Sequence, residues 1–506
     1  MRFARGSMVA GALCFASAAQ ATDVQQFPGQ GTQGLGRGGA WVARATGPLA
    51  TYYNPAGLAG QLTGVTADVA LAITNTCFER AGQGSRLDFG GDGVPYPGEV
   101  CDDSPVQPLP SLGGVLRVTE RLGLGLMVAP PTLYGARSFP DTVAGKNAIG
   151  IDVQLPAPTR YLLLESKGIV LNTTLGAGFE LMDDVRVGAG FVWGLASYTL
   201  ANANQSVAPR VAASDGLYLD PVTSDVRAQI DVSDLFMPGF VVGVLVSPHP
   251  MLDVGLRVKA QEAFDGRGDL ETRANYWSPN GVSKDPVVGS SSESGEDLAH
   301  FRLPNPLEVQ VGVRFHLPRE GTAAKDDERD PLEDDVFDVE IDLSYARNSA
   351  YDAARLRFPE SPIILVKGTG GRVPQNGDVP LRMRGDTLGL RVGGDVTVIP
   401  GTLALRAGGW YEPDVQRPES IQLSMLGSRR IGVALGGQYR LGPVDLEAAA
   451  MHVMFADVDN AGRGRTRVVS GDATTQPTPF RSPYGINGGR ISQSSTIVSL
   501  GGTMRF

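Results

Sequence analysis

The chain has 506 residues, of which 42% are apolar and 19% are charged, and its net charge is −10. It contains no apolar run of about 18 residues or more, the length that a membrane-spanning helix requires. Its acidic balance argues against nucleic-acid binding, which depends on clustered lysine and arginine.

The N-terminus has the pattern of a secretory signal peptide. Arg2 and Arg5 precede a short apolar stretch at residues 8–19, and the small residues of Ala19-Gln20-Ala21 follow. We therefore predict a signal peptide at residues 1–21. A lipid anchor on Cys14 is a weaker alternative, because a bulky leucine precedes this cysteine.

Two cysteines, Cys77 and Cys101, remain after the signal peptide. Cysteines of secreted proteins commonly pair, because the compartment is oxidising. We predict a disulfide that closes the loop between them. Two unpaired thiols are the alternative.

Alternation of apolar and polar residues recurs from residue 64 to the end of the chain and predicts β-strands. In the clearest strand, Asp338, Glu340 and Asp342 alternate with Val339 and Ile341. Three carboxylates on one face do not enter a dry core. They suit the wet lumen of a barrel whose apolar face contacts lipid.

Short or polar turns alternate with long connections, as in outer-membrane barrels. Six turns join twelve strands, and an opening strand near 64–75 and a closing strand near 494–506 bring the predicted number to fourteen. The turns are predicted at residues 119–121, 182–184, 247–251, 318–335, 400–401 and 442–443. The charged turn at 318–335 is interpreted as a solvated, disordered loop.

The last strand alternates and ends on an aromatic residue, Phe506. This ending is typical of bacterial outer-membrane barrels. It predicts a multi-pass protein of the outer membrane, with Phe506 as the signal read by the barrel-assembly machinery. The lipid bilayer is the expected surrounding of residues 63–506.

Residues 22–62 are glycine-rich and lack the barrel alternation. Fourteen strands enclose a lumen too wide for wall side chains to fill, because eight strands already suffice for a filled interior. We therefore predict that residues 22–62 form a plug, or hatch, inside an all-β, 14-stranded antiparallel transmembrane barrel.

The stretch Gly34-Leu35-Gly36-Arg37, followed by Asn54-Pro55-Ala56, resembles the hatch of the FadL family of outer-membrane long-chain fatty-acid transporters. The resemblance implies a 14-stranded barrel with an N-terminal hatch and an inward kink in one strand. It implies diffusive uptake of long-chain fatty acids or similar hydrophobic molecules. The sequence has no nucleotide-binding motif, so neither a cofactor nor an energy source is expected.

Two roles remain open for each hatch motif. Arg37 would pair with wall acids such as Asp338, Glu340 or Asp342, or it would attract a ligand carboxylate, since a guanidinium suits either partner. Asn54-Pro55-Ala56 would form a structural turn or a moving gate.

Apolar residues in the long connections are candidates for an outer surface that captures the ligand. They are Tyr134, Phe139, Tyr276, Trp277 and Phe301. Ordinary loop packing and an interfacial aromatic girdle are the alternatives.

Catalytic and metal-binding patterns are weak. The four histidines show no metal-ligand spacing, and the acidic stretch at residues 88–103 lacks the regular spacing of a calcium loop. We therefore expect neither an enzyme nor a metal protein. A general porin or small-solute channel is the alternative function, and a surface adhesin or receptor is a weaker one.

Overall fold

A closed ring of fourteen antiparallel strands forms the body of the protein in the computed structural model. The structure describes residues 29–81, 84–89, 92–130, 136–205, 209–278, 281–290, 299–320, 330–350, 353–357, 363–366, 369–372, 376–380, 385–424, 426–467, 469–470, 480–481 and 483–506. Each strand pairs with its neighbour in the chain, and the last strand pairs with the first over its whole length. The predicted signal peptide and Tyr134 lie outside the described residues.

The ring strands, in chain order, are β1 Gly64–Arg80, β2 Gln107–Arg117, β3 Leu122–Ala129, β4 Glu165–Met182, β5 Val185–Gln205, β6 Asp225–His249, β7 Leu252–Gln261, β8 Glu308–Pro318, β9 Asp335–Ala346, β10 Thr387–Ile399, β11 Leu403–Glu412, β12 Arg430–Leu441, β13 Val444–Phe455 and β14 Gly489–Arg505. Shorter strands continue or cover the ring at the end that carries the long connections. They are Ser85–Leu87, Val100–Cys101, Arg137–Ser138, Thr142–Lys146, Asp152–Pro156, Arg210–Val211, Tyr218–Asp220, Phe264–Ala274, Trp277–Ser278, Gly281–Val282, Val287–Ser290, Ala299–Leu303, Ala353–Arg357, Ile363–Val366, Thr369–Arg372, Asn376–Pro380, Val458–Asp459, Val469–Ser470 and Phe480–Arg481.

The two faces of the ring have opposite chemistry. On β9, Ile341 and Leu343 are 48% and 56% exposed, whereas Glu340 and Asp342 are fully buried. Successive side chains of a strand point to opposite faces. A continuous exposed apolar belt is unfavourable in water, so the outer face contacts lipid and the polar face lines the lumen.

Turns at the predicted positions join neighbouring ring strands at one end of the barrel. The turn between β12 and β13 is only two residues long, with Gly442 at φ 61°. This left-handed backbone conformation favours glycine. The opening strand, predicted near residues 64–75, is longer than expected, because β1 runs on to Arg80.

At the opposite end, Cys77 of β1 and Cys101 form a disulfide. The two residues face each other in an antiparallel pair of strands. The disulfide therefore fastens the first long connection to the rim of the barrel.

Helical elements are short. The α-helices are α1 Gly31–Gly36, α2 Ala50–Tyr53 and α3 Pro331–Asp334, and the 3-10 helices are Pro55–Leu58, Asn348–Ala350 and Pro418–Ser420. Across the described residues, no helix has the length and apolar character needed to cross a membrane.

The turn between β8 and β9 differs from the prediction of a disordered loop. Its residues 321–329 lie outside the described part of the chain, but residues 330–335 are ordered and include α3. Asp330 caps this helix by accepting a hydrogen bond from the Leu332 amide, and Pro331 occupies its first position. Capping residues and N-terminal prolines favour a helix start even in a charged segment.

Candidate functional site within the barrel lumen

Residues 29–62, here called the inner segment, lie inside the ring. Its helix α1 contacts β1, β11, β12, β13 and β14, whereas the 3-10 helix Pro55–Leu58 contacts β3, β4, β5 and β6. These two groups of strands are separate arcs of the ring. The inner segment therefore spans the lumen from one arc of the wall to the other.

Arg37 follows α1 and lies among carboxylates of the wall. Its Nη1 atom donates to Asp338 and to Asp395, the latter at 2.9 Å, and its Nη2 atom lies 3.4 Å from Glu340. The Arg37 side chain is 0% exposed. A guanidinium has five donors in a fixed plane, so a single residue can bind several carboxylates of neighbouring strands.

Arg44 reinforces the same cluster. It pairs with Asp338 and, at 3.1 Å, with Asp395. Trp41 lies between the two arginines, with their guanidinium carbons 5.4 Å and 4.9 Å from its ring centroid. Cation–π contacts of this kind are strongest where water is excluded. Two cations, one indole and the wall acids thus form one buried unit, here called the ionic lock.

The acids of β9 also bind the main chain of the inner segment. Asp342 accepts hydrogen bonds from the amides of Trp41 at 3.1 Å and Val42 at 3.4 Å. Glu340 accepts from the amides of Ala43 at 2.7 Å and Arg44 at 3.1 Å. Of the three acids predicted to pair with Arg37, Asp338 and Glu340 do so, whereas Asp342 binds backbone amides instead.

Asn54-Pro55-Ala56 forms a turn tied to the wall. The Asn54 side-chain oxygen accepts from the Ala56 amide at 3.2 Å and so caps the 3-10 helix that Pro55 begins. The Asn54 side-chain nitrogen donates to the carbonyls of Val42 at 2.9 Å and Val244 of β6 at 3.1 Å. Asparagine suits this position because it offers both donors and acceptors.

Glycines of the wall allow the backbone of the inner segment to pack closely against the strands. A Cβ atom on Gly408 of β11 would lie 2.1 Å from the Arg37 carbonyl carbon, and one on Gly188 of β5 would lie 2.2 Å from the Pro55 carbonyl carbon. Neither position tolerates a side chain while the inner segment keeps its place, because the obstructing atoms are backbone. The glycine content of the barrel strands therefore reflects close backbone approach.

Solved structures of other proteins have the same architecture. A FadL homologue from Pseudomonas aeruginosa matches with a TM-score of 0.63 at 16% identity, over 95% of this chain and 99% of that one. This chain therefore has the fold of a FadL homologue. No protein-family model and no curated protein matches the sequence, so the likeness is one of fold.

Two toluene transporters share the FadL fold as well. TbuX from Ralstonia pickettii matches with a TM-score of 0.58 at 14% identity, over 95% of this chain and 99% of its own. TodX from Pseudomonas putida matches with a TM-score of 0.57 at 15% identity, over 96% of this chain and 100% of its own. The matches extend over nearly the whole length of all three proteins.

An apolar cluster connects α1 with the outer connections in this FadL fold. It includes Leu35 of the inner segment, wall residues and residues of the long connections. Its members include Leu35, Phe139, Leu162, Leu164, Trp410, Ile421, Leu423, Met451, Val453, Tyr484, Ile491 and Ile497. Leu35 is the one residue of the glycine-rich motif that enters this cluster.

The aromatic residues predicted for an open capture surface are mostly covered. Phe139, Tyr276 and Trp277 are buried, and Phe301 is half-buried. Tyr276 donates to the Asp141 carboxylate at 2.8 Å, and Trp277 donates to the Asp141 carbonyl at 3.0 Å. These contacts hold the outer connections together, so these side chains pack between loops instead of forming an exposed surface.

Arg137 lies at the edge of the apolar cluster, and the sequence alone predicted no role for it. It donates to the Leu423 carbonyl and to the Gln493 side chain, the latter at 3.1 Å. Within the described residues, no carboxylate forms an ion pair with it. Burial lowers the pKa of the Arg137 guanidinium to about 10, with Asp102 acting in the opposite sense. Arg137 therefore stays charged at neutral pH among neutral acceptors.

The wall is irregular where β3 ends. Its pairing with β4 runs to Ala129 and resumes at Arg137 with a shifted register. Residues 131–135 lie outside the described part of the chain. Gln30 of the inner segment donates its side-chain amide to the Pro130 carbonyl, so the inner segment touches the wall at the end of β3.

Proposed function

We propose that the protein is an outer-membrane transporter for diffusive uptake of long-chain fatty acids or similar hydrophobic molecules, with residues 22–62 as its hatch. The observation that carries this proposal is the filled lumen. The inner segment is fastened to opposite arcs of the wall, and an apolar cluster extends from its Leu35 to the outer end. TbuX and TodX lend support as toluene transporters of the same fold, and the FadL homologue shares that fold as well.

The path begins at the outer connections and reaches the apolar cluster above α1. Gln30 binds Pro130 at the end of β3, so a shift of the hatch would act on the wall at this point. No step requires an energy source, because a hydrophobic molecule moves down its own gradient. Phe506 has a separate role in this proposal, as the signal that the barrel-assembly machinery reads.

Arg137 favours an acid over a neutral hydrocarbon as substrate. It is a cation at the edge of an apolar cluster, and its protein partners are a carbonyl and an amide. A carboxylate with an apolar tail satisfies both environments, because charge-assisted hydrogen bonds to carboxylates are stronger than those to neutral acceptors.

Uptake and conductance test the proposal together. Cells that lack their own fatty-acid transporter should take up labelled oleate when they produce this chain, and not when they carry an empty vector. Purified protein in a planar bilayer should pass little current. Deletion of residues 22–60 should raise that current several-fold, since the deletion empties the lumen. Unchanged uptake argues against the substrate, and large currents through the wild-type protein argue for a general porin instead.

A further inference from the structure

Residues 330–335, here called the strap, lie across one mouth of the barrel. The strap belongs to the turn between β8 and β9 and contains α3. Its Leu332 side chain is 4% exposed, and the Leu332 carbonyl accepts from the Gly401 amide in the turn between β10 and β11 at 3.0 Å. The strap is therefore packed into the structure at this end.

Ion pairs connect the strap to strands outside the β8–β9 hairpin. Asp330 pairs with Arg440 at the end of β12 and with Arg505 at the end of β14, both at 2.5 Å. Asp445 pairs with the same two arginines at 2.6 Å and 2.7 Å. β14 is five positions along the ring from β9, so a segment rooted at β9 that reaches β14 crosses the mouth as a chord.

The strap forms the floor of a cavity beneath the inner segment. The cavity has a volume of about 40 Å³ and is bounded by Pro331 and Leu332 of the strap, by Arg44 and Gln61 of the inner segment, and by Arg505. A strap in this position stands in the way of any movement of the inner segment toward that mouth.

The strap is also connected to the ionic lock. Arg314 of β8 pairs with Asp335 at the end of the strap and with Asp338 at 2.9 Å. Asp338 in turn binds Arg37 and Arg44 of the inner segment. The strap and the hatch therefore share one continuous set of buried charges.

We propose that the strap is a latch that holds the hatch from the short-turn end, which is the periplasmic side of an outer-membrane barrel, and keeps that exit closed. Asp330 is the residue that fastens the strap, because its carboxylate pairs with arginines of both β12 and β14. This inference rests on the proposed function in one respect, that the inner segment is a hatch. A turn that served only to connect β8 with β9 would not need to bind β14.

The latch is tested by Asp330→Asn, which removes the charge and keeps the shape. Leu332→Ala is the second variant, because it loosens the packing of the strap and leaves every ion pair in place. Arg121→Gln is the matched control, since Arg121 makes an exposed ion pair with Asp183 across other turns at the same end. The readouts are conductance in planar bilayers and hydrogen exchange of the amides at residues 44–62.

Both strap variants should raise conductance several-fold and speed hydrogen exchange at residues 44–62 about tenfold, while Arg121→Gln behaves like the wild type. Heat-modifiable migration in gels checks that each barrel has folded, and Leu332→Ala carries the test if Asp330→Asn does not fold. Wild-type conductance and exchange in the folded strap variants would overturn the latch, as would an equal effect of Arg121→Gln. If deletion of residues 22–60 also leaves conductance unchanged, the hatch assignment itself fails.

Discussion

Arg37 and Asp338 are 301 positions apart in the chain and form an ion pair in which the two side chains are 0% and 1% exposed. The pair joins the inner segment to the wall. Buried ion pairs add little to stability compared with apolar packing, but loss of one partner leaves a buried charge alone. The pair therefore specifies where the inner segment docks.

The first prediction concerns this docking. Arg37→Met should release the inner segment, because Glu340 loses its pairing with Arg37, and Asp338 and Asp395 lose one of the two cations of the inner segment that hold them. We expect the docked state to lose about 3 kcal/mol, seen as a rise in bilayer conductance and faster hydrogen exchange over residues 31–45. Arg490→Gln is the control, since Arg490 pairs with Asp457 on the exposed outer surface. Conductance equal to the wild type in Arg37→Met would contradict a docking role.

Wall glycines give the second prediction. Gly408→Ala should displace the inner segment, because the new methyl group would lie 2.1 Å from the Arg37 carbonyl carbon. Gly437→Ala on β12 is the matched control, since its nearest obstruction is a Leu405 methyl group at 3.5 Å. Both variants should fold as barrels, but only Gly408→Ala should raise conductance. An identical response of the two variants would show that the close approach has no consequence.

Ligand class gives the third prediction. Arg137→Gln should weaken binding of oleate to the purified protein about tenfold, the loss of roughly 1.4 kcal/mol that one charge-assisted bond supplies. Binding of oleyl alcohol, which has the same tail without the charge, should not change. Calorimetric titration or intrinsic fluorescence measures both affinities.

Two outcomes would contradict this role of Arg137. Equal weakening of both ligands would show that the substitution disturbs the pocket as a whole. Unchanged affinity for oleate would show that the carboxylate lies elsewhere. Arg210→Gln is the control, because Arg210 is an exposed arginine of another outer connection, paired with Asp88.

The fourth prediction is a pH dependence of the strap. Burial would raise the pKa of Asp330, but hydrogen bonds from Arg440 and the charge of Arg505 outweigh it and hold that pKa below its usual range. A carboxyl group with a depressed folded-state pKa stabilises the fold above its unfolded-state pKa of about 3.9, and this contribution is lost as the pH falls through the folded-state value.

Thermal unfolding in detergent checks the sign. At pH 7 the wild type should unfold at a higher temperature than Asp330→Asn, and the difference should shrink as the pH is lowered below about 4. A difference that grows on acidification would contradict the depressed pKa.

Local pattern was a good guide to the wall and a poor guide to the loops. Alternation located the polar face of β9 because the faces of a strand follow from its own sequence. Burial of Tyr276 and Trp277 could not be predicted in the same way, because it depends on Asp141, which lies more than a hundred positions earlier in the chain. The same reason explains why the order of the strap was missed: Asp330 finds Arg440 and Arg505 only after the ring closes.

Within the ionic lock, the pairing of the charged residues also depends on contacts between distant parts of the chain. The motif around Arg37 and the acids of β9 were visible as candidates in the sequence. Asp395 was not, because its proximity to Arg37 depends on the register between β9 and β10. Arg44 and Arg137 carried no pattern that distinguishes them from other arginines.

The sequence by itself determined the fourteen strands, the turns at one end, the lipid-facing and lumen-facing sides, and a separate N-terminal segment. These features depend on residue type and on an alternation with a period of two, and both can be read within a short stretch of sequence. Only the tertiary structure decided which carboxylates hold Arg37, which aromatic residues are buried, and that a turn of charged residues crosses the mouth of the barrel. Each of these depends on contacts between distant strands, and such contacts exist only once the register of the closed ring is set.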